Sequence, residues 1–86
     1  MHERAPAAVM VALKEALERQ IAANDPPETA VAFERLRRDG ISTDESWRWL
    51  MAALLHEMTV MVRENRPFDR QAFAAALDQL PGLIER

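Results

Sequence analysis

Apolar side chains recur along this chain at intervals of three and four residues, the spacing that gathers them on one side of an α-helix. In the first such stretch, about Pro6 to Asn24, Val9, Met10, Leu13, Leu17 and Ile21 share a face opposite Lys14, Glu15, Glu18 and Arg19. A second stretch, 26–39, turns Ala30, Phe33 and Leu36 inward. Its Arg35, Arg37 and Arg38 face outward, late in the helix where cations suit the dipole. The third, 43–65, carries the broadest stripe: Trp47, Leu50, Met51, Leu54, Leu55, Met58, Met61 and Val62. The fourth, 69–80, buries Phe73, Ala76, Leu77 and Leu80. The pattern predicts an all-α fold, a single-domain bundle of four helices spanning 1–86 with a long third helix at its centre.

Stop and start signals agree with these stretches. Breaks fall at Asn24-Asp25-Pro26-Pro27, Asp39-Gly40-Ile41-Ser42, Asn65-Arg66-Pro67 and Leu80-Pro81-Gly82. Asp25 is expected to cap helix two, whose first turn tolerates both prolines because its N–H groups have no helical partner. Gly40 is the expected left-handed residue that ends it. Ser42 with Glu45 three residues on fits a capping box, and Asp44 adds favourable charge to that turn. The helix that follows, roughly 22 residues, is about 33 Å long. Phe68 and Phe73 flank the start of helix four at the spacing of a hydrophobic staple, with Asp69 between them as the cap. Leu83 and Ile84 are expected to form a last short turn against the bundle.

Composition narrows the class. Apolar residues are 49% of the chain and mostly helix-compatible, Gly occurs twice, Tyr is absent and the net charge is −3, so a folded, mildly acidic globule is expected. The absence of cysteine removes disulfides and thiolate sites together and points to a reducing cytoplasm. The longest apolar run, Leu50 to Leu55, is too short to span a bilayer, and the charged start Met1-His2-Glu3-Arg4 has no apolar signal region behind it. A soluble, cytoplasmic protein is expected, with no membrane contact.

Candidate chemistry is sparse. His56-Glu57 opens like the zinc-protease pattern, but the second ligand position is Val60 and the only other histidine is His2. A phosphoacceptor histidine would need small neighbours, and His56 has Leu55, Glu57, Met58 and Thr59. Ser42 and Ser46 lie where helix capping explains a hydroxyl. Gly40 and Gly82 are isolated and cradle no phosphate. The expectation is a protein that is not an enzyme and holds no cofactor and no metal.

Two surfaces remain. Trp49, Ala53 and Val60, with His56 at their edge, lie off the main stripe of helix three and form a candidate interaction surface. Its occupant would be a protein partner or a second copy, with Glu57, Glu64 and Arg63 as a polar rim. The competing reading is that helix one or the C-terminal tail covers Trp49. Separately, Arg35, Arg37 and Arg38 ahead of a Gly-containing turn suggest a helix-turn-helix. Against nucleic acid stand Asp44 and Glu45 at the start of the next helix and the net negative charge. The function these observations favour is a non-catalytic protein-interaction or structural helical module, self-associating or paired with another protein. A nucleic-acid-associated regulator is the alternative.

From Val9 to Leu80 the sequence also resembles a family of uncharacterised bacterial all-helical proteins, known as a domain of unknown function. The likeness rests on Glu18-Arg19-Gln20-Ile21, Asn24, Pro26, Phe33-Glu34-Arg35-Leu36, the Glu57 region, and Pro67, Phe68, Asp69, Phe73, Leu77 and Leu80. It implies a helical fold and no particular activity. The family's histidine positions on the first helix fall here at Met10 and Lys14, so the resemblance implies no metal or acid–base role for this chain.

Overall fold

The computed structural model describes residues 7–81. Four helices follow one another: α1 Ala7–Ala23, α2 Pro27–Arg38, α3 Thr43–Arg63 and α4 Arg70–Asp78, and the third is the longest. Pro6 as the first residue of helix one, and the turn expected at Leu83 and Ile84, lie outside the described residues. No strand occurs among those described.

Each of the first three helices is ended by a left-handed residue. Asn24 (φ 53°), Gly40 (φ 92°) and Asn65 (φ 52°) stand just past α1, α2 and α3. After each, the chain folds back in the same way: Asp25 N–H donates to Gln20 O, Ile41 to Leu36 O and Arg66 to Met61 O, all at 2.9–3.0 Å. This is the Schellman closure, which satisfies carbonyls that the helix leaves unpaired. Asn tolerates the conformation because its short polar side chain can bond locally, and Gly because it has no Cβ.

The starts differ from the sequence reading in one place. Ser42 caps α3 by accepting from Glu45 N–H at 3.1 Å, and Asp69 caps α4 by accepting from Gln71 and Ala72 N–H. Asp25 does not cap α2. Pro26 occupies that position with no side-chain bond, and Asp25 pairs instead with Arg70 at the start of α4. With Pro26 at the cap and Pro27 in the first turn, fewer N–H groups remain there for a carboxylate to satisfy.

α2 and α3 pack on each other, and α1 and α4 each contact both without meeting one another. Leu13 and Leu17 of α1, Ala32 and Leu36 of α2, Leu50, Met51, Ala53 and Leu54 of α3, and Phe73, Ala76, Leu77 and Leu80 form one buried cluster. In α2 the enclosed residues are Thr29, Ala32 and Leu36, while Ala30 and Phe33 are half-buried. Thr29 is tolerated inside because its hydroxyl donates to Gln20 Oε1 at 2.8 Å, tying α2 to α1. Phe68 and Phe73 form the staple, their ring centres 5.6 Å apart.

Candidate interaction surface

α3 is rotated relative to the stripe that its hydropathy suggests. Its enclosed residues are Ser46, Leu50, Met51, Ala53, Leu54 and Glu57. Ser46, Leu50, Ala53 and Glu57 follow one another at steps of four, three and four, so they define the centre of the buried arc. Two of the four are polar and one is alanine, which is why a reading guided by large apolar residues misses this arc.

Glu57 is buried at the end of that arc because two donors converge on one of its oxygens. Arg66 Nη1 lies 2.8 Å from Oε2 and Asp69 N–H lies 3.2 Å from it. The hydrogen bond from Arg66 holds the Glu57 carboxyl below its ordinary value of 4.5; burial opposes this and the Asp69 N–H reinforces it. The same contact raises Arg66. Glu57 therefore belongs to the framework, binding α3 to the turn that launches α4, and is not part of a polar rim.

The residues expected to meet a partner are distributed accordingly. Ala53 has no exposure at all, so it takes no part in any surface. Trp49 is half-buried against the core, Val60 is half-buried, and His56 is exposed. Trp47 stacks on Phe33 with ring centres 4.7 Å apart, and Lys14 Nζ stands 5.4 Å from the Trp47 ring, joining α1, α2 and α3 at one corner.

The basic cluster is also divided. Arg35 Nη2 donates to the carbonyl oxygens of Leu77 at 3.0 Å and Leu80 at 2.9 Å, closing the C-terminal end of α4. Arg37 Nη1 donates to Ile41 O at 2.8 Å. Only Arg38 of the three has no hydrogen bond or ion pair among the described residues. Two of the three guanidiniums are thus committed to carbonyls of their own chain, and a phosphate-binding patch loses most of its donors.

What the rotation leaves outside is apolar. Leu55 is 37% exposed, Met58 38% and Val62 75%, although all three belong to the stripe read as core. With Thr59 and Arg63 they line a shallow hollow of about 440 Å³. Leu55 also borders a groove of about 420 Å³ between α1 and α3, walled by Ala7, Met10, Leu13, Arg48, Met51 and Ala52. Hollow and groove share Leu55 and make one continuous face along α3. Its N-terminal half is a groove beside α1, and its C-terminal half is a shallower hollow in which Val62 is the most exposed side chain. Sequence reasoning named Leu55, Met58 and Val62 and assigned them to the core.

Among the described residues no three His, Asp or Glu side chains lie together as a metal site, and no helix is long and apolar enough to cross a membrane. No protein-family model, curated protein or solved structure matches the chain. Several of the residues singled out in the sequence serve the framework here. Asn24 ends α1, Gln20 holds Thr29, Arg35 closes α4, Glu57 holds Arg66, and Asp69 caps α4.

Proposed function

We propose that this chain is a non-catalytic, cytoplasmic helical module whose work is to bind protein through the outer face of α3. The observation that carries the reading is the exposure of Leu55, Met58 and Val62 in adjoining turns, continuous with the α1–α3 groove. Scattered exposed apolar residues need no explanation, but a contiguous strip beside a groove is how helix-in-groove recognition is built. Nucleic acid is not favoured, because Arg35 and Arg37 are spent on carbonyls.

A photo-crosslinking amino acid placed at Val62, in cells, tests the proposal. A discrete protein adduct is expected there, and none from the same group at Arg38. Failure to form any adduct at Val62 would count against an interaction module of this kind.

A further inference from the structure

We infer that the occupant of this face is a second copy of the chain, docked with its α3 antiparallel to the first. The inference rests on the interaction reading above and names its partner. Shape supports it, because exposed apolar side chains lie toward one end of the face and a groove toward the other. Leu55, Met58 and Val62 stand toward the C-terminal end of α3, where they line only a shallow hollow, and the groove walled by Met10, Arg48, Met51 and Ala52 lies toward the N-terminal end. A two-fold axis passing near Leu55 sets the exposed Met58 and Val62 of each copy against the groove of the other, the reciprocal arrangement that a closed dimer requires. Leu55 then meets its own equivalent, and Met58 and Val62 of one copy lie over Ala52 and Arg48 of the other. Arg48 can keep its charge at the edge there while its aliphatic stem covers Val62.

Charge selects the direction. α3 is polarised, with Asp44 and Glu45 in its first turn and Arg63 in its last. On the helical wheel Glu45 and Arg63 lie on the same flank of the strip, eighteen residues being five full turns. Neither forms an ion pair among the described residues. In this register an antiparallel pair sets Arg63 of each copy against the N-terminal end of the other's α3, where Asp44 and Glu45 outweigh Arg48, and it also opposes the two helix dipoles. A parallel pair would keep Glu45 and Arg63 at opposite ends of the assembly, eighteen residues apart along the axis, where neither meets the other. An unrelated acidic helix would satisfy Arg63 but leave Glu45 facing like charge.

Sedimentation equilibrium of the full chain, from about 1 to 500 μM, reads the association directly. A reversible monomer–dimer equilibrium is expected. Val62→Glu, at a position already largely in water, should keep the helical circular dichroism and weaken the dimer at least about tenfold, since the change acts twice across the axis. Arg63→Glu should weaken it as well, and adding Glu45→Arg in the same chain should restore it. A single-chain mass throughout overturns the inference, as does a dimer indifferent to Val62→Glu or a charge swap that fails to restore. If the chain is a monomer yet crosslinks at Val62 to a different protein, self-pairing falls while the interaction reading stands. If it is a monomer without adducts, both fall.

Discussion

Replacing Glu57 with Gln removes a single charge from the junction of α3 and α4 while keeping the volume of the side chain. The carboxylate accepts from Arg66 at 2.8 Å and from Asp69 N–H at 3.2 Å, and its side chain is only 4% exposed. A charge-assisted bond of this kind contributes about 1.5–3 kcal/mol and a neutral one about 1 kcal/mol. The guanidinium of Arg66 is 28% exposed, so once released it can turn to water, and the larger penalty for stranding a buried charge does not apply. Gln retains one acceptor oxygen. The expected loss is therefore about 1–2 kcal/mol, against a total stability on the order of 4–13 kcal/mol for a chain of this size. Urea unfolding followed by the fluorescence of Trp47 and Trp49 measures it. The pH dependence has a definite sign. Because folding lowers the affinity of Glu57 for a proton, the stability it confers is present above the ordinary value of 4.5 and is lost as pH falls through the lower folded value. The gap between wild type and Glu57→Gln should thus be widest near neutrality and close in acid. Equal stability at pH 7, or a gap that persists unchanged to pH 2, would refute the role given to this carboxylate.

Substitutions at four further positions probe the framework. Arg35→Ala should cost about 2–3 kcal/mol through loss of both carbonyl contacts, with amide exchange rising first in α4, and Arg35→Lys should recover only part because its ammonium, on a side chain one bond shorter, falls short of the place that Nη2 holds. Gly40→Ala should cost about 1–2 kcal/mol from backbone strain alone, since a Cβ there meets nothing within 4 Å, and thermal melts compared with Asn65→Gly, expected near neutral, check that the left-handed conformation is the cause. Ser46→Ala should be neutral or raise the midpoint of unfolding, because the Ser46 hydroxyl is enclosed without a hydrogen-bond partner among the described residues.

The fold was legible because its boundaries depend on local chemistry. Pro26, Gly40 and Pro67 stand between helices, Pro27 is confined to a first turn, and Ser42 and Asp69 announce the starts of α3 and α4 from the position just before each. Asp25 misled because a local rule yielded to a distant partner. Arg70, forty-five residues on, competes for the same carboxylate, and no short-range pattern contains that pairing. The same limit applies to Arg35, whose partners at Leu77 and Leu80 make an outward-facing basic residue into a cap for another helix.

The rotation of α3 has a physical cause that hydropathy alone does not carry. This helix is in contact with α1, α2 and α4, so the residues at the centre of its buried arc must be small, apolar or internally satisfied. Ser46 and Ala53 meet the first condition, Leu50 the second, and Glu57 the third through Arg66. Arg66 lies nine residues on, just past the left-handed Asn65, and the reversal of the chain there is what brings it back within reach. A glutamate followed by a tight helix stop and an arginine is a weak signal, but it is the one that would have placed Glu57 inside. Placing it inside turns Leu55, Met58 and Val62 outward by the same rotation, because residues on one rigid helix cannot change face independently. Burial of Glu57 and exposure of the apolar strip are thus two consequences of one packing choice. A core that encloses a carboxylate while leaving a leucine, a methionine and a valine in water is not organised for its own burial alone, and that is the physical ground of the proposal that the outer face of α3 serves a partner.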